Sequence, residues 1–135
     1  MPLTLEECLQ VVNAARVHAG DSGWQVTVAV VDEGGLLKAL GRMDGAPPLS
    51  AQLAEAKAVG AALWHRDGDS LAELHTARPA FFAQVDRMVR LPLMPAAGSV
   101  LIRRDGQILG AVGVSGAAPD QDKACAVAGL SALGI

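Results

Sequence analysis

Apolar and polar positions recur along this chain in two rhythms, one helical and one alternating, and the switches between them mark its elements. Thr4 and Glu7 stand at capping-box spacing. Leu5, Cys8, Leu9, Val12 and Ala19 then recur at helical intervals and predict a first helix with that apolar face turned inward, ending in the Gly20–Gly23 stretch. Thr27–Val31 is β-rich and apolar on both sides, which predicts a central, doubly covered strand. After the turn Asp32–Gly35, Leu36–Met43 carries Lys38 and Arg42 on one side and reads as an edge strand. Gly45–Pro48 breaks the chain. Ser50 can cap a helix running to Trp64, with Leu53, Ala56, Gly60 and Leu63 on its inner face.

A polar break, His65–Asp69, precedes a short helix over Ser70–His75 and another over Arg78–Met88, with Pro79 in its first turn. Arg90–Pro95 contains two prolines and is at best a short edge strand. Val100–Arg103 and Ile108–Val114 flank Asp105-Gly106, a strong hairpin signal, and Gly110 and Gly113 mark places of close approach in the second arm. A last helix runs from Pro119 to Leu133 with Asp120 and Asp122 in its first turn. Helix, hairpin, helices, hairpin, helix is an α+β arrangement: an antiparallel sheet with helices on both faces.

Composition narrows the classes. A length of 135 residues predicts one domain, and 51% apolar against 19% charged residues exclude a disordered or purely solvated chain. A net charge of −3 gives no attraction to nucleic acid or to an anionic membrane, and 3% aromatics weaken any base-stacking role. Cys8 and Cys125 are too few for a disulfide framework and read as small core residues. No basic segment followed by an apolar stretch opens the chain, which predicts a cytoplasmic location.

Several motifs are candidates for chemistry. Gly113-Val114-Ser115-Gly116-Ala117 sits between a strand and a helix like a nucleophile elbow. Its last position is Ala117, however, and no histidine follows Ser115, so a hydrolase triad in that order cannot be built. The backbone of Ser115 and Gly116 could receive an anion, but Asp120 and Asp122 already occupy the positive end of the following helix, which favours a self-compensated helix start. Arg42 and Lys57 could bind a carboxylate with Asp44 orienting them; the plainer reading is a turn in which Asp44 caps a local N–H. His65, Asp67, Asp69 and His75 match no standard metal spacing and read as a solvated loop. His18 lies about 120° from the centre of the expected core face of its helix. It shares that flank with Val11, Ala14 and Ala15. That flank is either a mildly apolar surface with an exposed histidine or a face turned to another subunit or a flat ligand.

Five ordered motifs carry a resemblance. They are Leu3-Thr4-Leu5-Glu6; Ala29-Val30-Val31-Asp32-Glu33-Gly34-Gly35; Arg42-Met43-Asp44-Gly45-Ala46; Lys57-Ala58 with Ala61-Ala62; and Gly110 to Gly116 followed by Gln121-Asp122. Together they resemble the GlcG/HbpS-like family, which includes the C-terminal domain of PduO-type corrinoid adenosyltransferases. The chain departs from the family at Ala96–Ser99, where Gly-Gly-Val-Pro is usual, and in the loop His65–Ser70. The resemblance implies a profilin-like, three-layer α/β/α fold with a five-stranded antiparallel sheet, order 2-1-5-4-3. It also implies homo-oligomers, from dimer to octamer, and haem binding in some members.

These readings converge on a cytoplasmic, oligomeric binding domain for haem or a related tetrapyrrole, with no nucleic-acid or membrane partner. The alternative is a small-molecule enzyme or accessory protein of a catabolic operon, acting on a carboxylate-bearing substrate with Arg42, Asp44 and Lys57 around it; Ser115 and Gly116 are further ligand-binding candidates. If haem is the ligand, its iron needs an axial donor, and His18 is the expected one. His65 and His75 border a polar break, whereas His18 has apolar neighbours, with Arg16 near enough in sequence to be expected at the propionates.

Overall fold

The capping box forms as its spacing predicts. Glu7 N donates to Thr4 Oγ1 at 3.0 Å and Thr4 N donates to Glu7 Oε1 at 3.0 Å, starting helix α1, Leu5–Asp21. The computed structural model describes residues 1–135. Strands β1 (Thr27–Asp32) and β2 (Leu37–Arg42) follow, then helices α2 (Leu49–Trp64), α3 (Gly68–Ala77) and α4 (Pro79–Met88), the hairpin β3 (Ser99–Arg104) and β4 (Gln107–Ser115), and helix α5 (Pro119–Ser131). The four strands form one antiparallel sheet in the order β2-β1-β4-β3. Helices α1 and α5 pack together on one face and α2 covers the other, so the molecule has three layers. β1 is buried along almost its whole length, as expected of a strand covered on both sides.

The sheet differs from expectation by one strand. The observed order is the expected 2-1-5-4-3 with its third strand missing. Residues 90–95, which should supply it, lie along α2 instead, where Met94 N donates to Ala56 O. Pro92 and Pro95 have no N–H to give a ladder, which disfavours pairing there. The outer edge of β3 is closed by a side chain: Asp67 Oδ1 accepts from Leu101 N at 2.8 Å.

Two helix faces also differ, for one physical reason. The inward residues of α2 are Ala54, Lys57, Ala58, Ala61 and Ala62, whereas Leu49 and Leu63 are exposed and Leu53 half-buried. A Cβ added at Gly113 of β4 would stand 2.2 Å from Ala54 O and 2.7 Å from Ala58 N, so the α2 backbone lies directly on the strand. Only small side chains fit beneath a helix that close. In α1 the buried residues are Cys8, Val11, Ala15 and Ala19, with Leu5 and Leu9 outside. Gly129 of α5 brings the two helices together: a Cβ there would lie 2.9 Å from Val11 O. Ser50 does not cap α2. It is buried in the first turn, with its Oγ 2.7 Å from Thr27 Oγ1.

Candidate functional site

His18 sits in the last turn of α1, and the sequence after it builds its surroundings. Ser22 ends the helix by donating its N–H and hydroxyl to His18 O. Gly23, at φ +80°, reverses the chain, and Trp24 N returns to Ala19 O at 2.8 Å. The indole is thereby folded against the imidazole, edge to face, with ring centroids 6.0 Å apart. With the core face centred on Cys8, Val11, Ala15 and Ala19, His18 stands about 65° from that centre rather than 120°. It is half-buried, and its ring makes no hydrogen bond within the chain. One nitrogen is therefore a free donor to a ligand. Arg16 lies about 160° around the helix from His18, which is too far to serve the same flat ligand from one chain; its guanidinium holds Asn13 Oδ1 at 2.6 Å.

Lys57 sits elsewhere and is not free. Its Nζ donates to Asp122 Oδ2 at 3.1 Å and to Val114 O at 3.0 Å, and both side chains of the ion pair are almost fully buried. Val114 N takes Gly98 O, so the Val114 carbonyl points past the beginning of β3. Lys57 enters through that gap from α2 and reaches α5 on the opposite face of the sheet. Gly98, at φ +119°, covers the pair: a Cβ there would lie 2.9 Å from Lys57 Nζ. Burial pushes the Asp122 carboxyl above the usual range, against the pull of the Ala117 N–H and the Lys57 ammonium.

The same aspartate settles the Ser115-Gly116 turn. Ala117 N donates to Asp122 Oδ1 at 2.9 Å and Ala118 N to Gln121 Oε1 at 3.0 Å, so the start of α5 is satisfied by its own side chains. Ser115 is buried, and Gly116, at φ +132°, lies against Gln25 O. Arg42 and Ser115 flank Thr27 in one row of the sheet. Arg42 Nη1 is turned onto Ala46 O at 3.2 Å, and Asp44 is exposed and caps no N–H. The turn is held instead by Gln25 Oε1, which accepts from Gly45 N. The structure therefore does not gather Arg42, Asp44 and Lys57 into one anion site.

The remaining histidines serve other surroundings. His65 caps α2 in the left-handed conformation, at φ 54°, and borders an open cleft of about 750 Å³ with Glu33, Gln107 and the N-terminal Met1 and Pro2. His75 stands edge-on to Phe82, which is buried and stacked on Trp64 at 4.5 Å. The short helix expected over Ser70–His75 is α3, which begins two residues earlier and takes Gly68 and Asp69 from the polar break; Asp67 holds Leu101 N and Asp69 pairs with Lys123. No cluster of three His, Cys, Asp or Glu residues stands ready for a bare metal ion. Both thiols are buried and unpaired by any disulfide, and burial pushes the Cys125 thiol up to about 11. No helix is long and apolar enough to cross a membrane.

Sequence reasoning missed the Lys57–Asp122 pair and the Trp24 lid on His18. The Gly23 break before Trp24 was the available signal for the second; nothing in the spacing of Lys57 and Asp122, 65 residues apart, signals the first.

Comparison with known proteins gives the relationship. Protein GlcG of Escherichia coli K12 is 39% identical over 107 residues, which cover 78% of this chain and 75% of that protein. A crystal structure of a double mutant of Streptomyces reticuli HbpS superposes with a TM-score of 0.89 at 32% identity, covering 100% of this chain and 89% of that one. The crystal structure of a PduOC:heme complex superposes with a TM-score of 0.87 at 25% identity, covering 98% of this chain and 95% of that one. Residues 3–131 match the family model described as haem degrading protein HbpS-like, and the chain belongs to that family.

Proposed function

We propose that this protein binds haem or a related tetrapyrrole as an assembly of identical subunits, with His18 as the axial iron donor. The observation that carries the reading is the unengaged His18 imidazole, half-buried beneath Trp24. A bare ion would need several protein ligands converging, and none converge here. Haem brings four nitrogens of its own and asks the protein for one or two axial donors, which fits a lone histidine on a helix flank. When bound, the group would supply the iron; His18 would offer it a nitrogen, and Trp24, packed edge-on to that imidazole, would restrict solvent around it. Membership of the HbpS-like family and the likeness to a haem complex of PduOC support the same reading.

The carboxylate alternative has less support, because Lys57 is held by Asp122 and Val114, and the N–H groups of Ala117 and Ala118 after the Ser115-Gly116 turn are taken by Asp122 and Gln121. Haem titration followed by absorption tests the proposal. A Soret band that saturates with the native protein and His75→Ala, but is lost or shifted in His18→Ala, is expected. A His18→Ala variant with the native spectrum and affinity overturns the assignment. A thermal-shift response to small carboxylic acids without a haem spectrum favours the alternative.

A further inference from the structure

Residues 90–95, set along α2 instead of in the sheet, make a strap over the outer face of that helix. The strap comes close at Gly60, where a Cβ would lie 3.3 Å from Met94 O and 3.7 Å from Leu93 Cβ. Met94 N, donating to Ala56 O, ties it down. Beside that crossing the strap and the helix enclose a groove of about 300 Å³. Leu49, Leu53, Ala56 and Val59 line it from α2, and Leu91 and Leu93 line it from the strap. Helical spacing puts those four residues on the side of α2 opposite Ala54, Ala58 and Ala61, which face the sheet. Val59, 1% exposed, lies deepest, and Ala56 presents only a methyl group, which leaves the groove its room. Two polar side chains border this apolar space, Gln52 and Glu55. Glu55 is half-buried and takes part in none of the chain's ion pairs or side-chain hydrogen bonds. The strap's cation, Arg90, opens with Leu36 and Leu63 onto a separate cleft.

We propose that this groove binds a small primary amine whose apolar body is one ring or a short alkyl arm, with its ammonium on Glu55. Size sets the body. The volume is roughly twice the 150 Å³ that encloses a benzene ring, and it stands at the lower end for small-molecule sites. One ring with a short arm fills it; a macrocycle does not enter. Charge sets the head. An occupant that fills the groove takes water from Glu55. A neutral one leaves the carboxylate without a partner, and an anionic one sets a like charge beside it. An ammonium instead replaces the lost hydration with a charge-assisted hydrogen bond. The amide oxygen of Gln52 is a second acceptor for the same head. The groove lies across the sheet from α1, which carries His18, so the proposal stands apart from the haem reading.

Methyl NMR of the full chain tests this with phenethylamine, its neutral counterpart phenethyl alcohol, and the acid hydrocinnamate. The amine is expected to shift the methyl signals of Leu53, Ala56, Val59 and Leu93 saturably and to bind about tenfold or more tighter than the alcohol, with the acid weakest. Glu55→Gln should bring the amine down to the level of the alcohol and leave the alcohol unchanged. Ala56→Leu, which fills the groove, should abolish the response to all three while keeping the native circular dichroism. Should Ala56→Leu fail to fold, Glu55→Gln decides alone, since Glu55 bonds to nothing in the fold. His18→Ala should respond to the amine as the native chain does, so haem binding and amine binding are lost separately. No shift at the groove methyls up to millimolar amine overturns the proposal. So does an amine that binds no tighter than the alcohol, or one that binds folded Glu55→Gln as tightly as the native chain. Groove methyls that move on dilution of the protein and ignore the amine would place a second copy of the chain there and equally overturn it.

Discussion

Lys57 and Asp122 form an ion pair with almost no access to water. Taking either charge out of water is costly, and the partner together with the Val114 carbonyl and the Ala117 N–H offsets that cost. Removing one partner leaves the other buried and alone. Lys57→Met is therefore expected to destabilise the fold by about 3–5 kcal/mol. Adding Asp122→Asn should recover part of the loss, because the amide oxygen still accepts from Ala117. The pH dependence of the single variant has a definite sign. Burial already raises the Asp122 carboxyl, and without Lys57 it rises further. An acid whose folded pKa exceeds its unfolded one binds more protons in the native state, so stability falls as pH climbs from the unfolded value, about 4, through the folded one. The deficit of Lys57→Met relative to the native chain should be smallest near pH 4 and grow toward neutrality, as urea unfolding at several pH values would measure. A deficit independent of pH would mean that Asp122 is not the group left uncompensated.

Helix α2 is apolar almost all round, and its leucines do not decide which side faces the sheet. Gly113 does, by admitting the backbone at Ala54 and Ala58. A side chain there has nowhere to go, since its Cβ would overlap main-chain atoms that no rotamer change can move. Gly113→Val is expected to cost at least about 3 kcal/mol, the upper range for overpacking, and to lower the thermal midpoint accordingly. A near-native midpoint would show that α2 can lift off β4. Helix α4 lies at the other extreme. Phe82 is its only buried residue, stacked on Trp64, and neither the sheet nor the α1–α5 layer holds it. Hydrogen exchange should therefore find α4 among the least protected helices, and Phe82→Ala should raise its exchange further while leaving β1 and β4 unchanged.

At the level of the whole molecule, one free histidine on a helix flank offers a flat macrocycle a donor on one side and leaves its other side open to a second copy of the chain. If one haem is gripped by His18 from two chains, adding haem should raise the mass of the native protein and should leave that of His18→Ala unchanged. Light scattering with and without haem reads both. A native protein that takes up haem with no change of mass would mean that His18 holds the group from one side only.

The sequence by itself determined most of the elements and the α+β class, because capping boxes, turn glycines and apolar periodicity act over a few residues and their signals survive in one dimension; the family, and with it the order of the strands that form, was legible only through the resemblance that five ordered motifs carry. It also carried the self-satisfied start of α5 in part: Asp122 accepts from Ala117 N as an acid in that first turn should, while the second acceptor is Gln121 rather than Asp120. Only the tertiary structure decided which face of α1 and α2 turns inward. Close backbone approach at Gly113 and Gly129 favours alanine over leucine beneath a helix, the reverse of what hydrophobic size alone suggests. It also withheld the expected strand at residues 90–95, where prolines and a helix neighbour outweighed pairing. It drew Lys57 away from Arg42 to an aspartate 65 residues distant, because a buried charge seeks whichever opposite charge the fold brings within reach. And it left His18 with a free nitrogen under Trp24, a fact of packing that spacing does not encode.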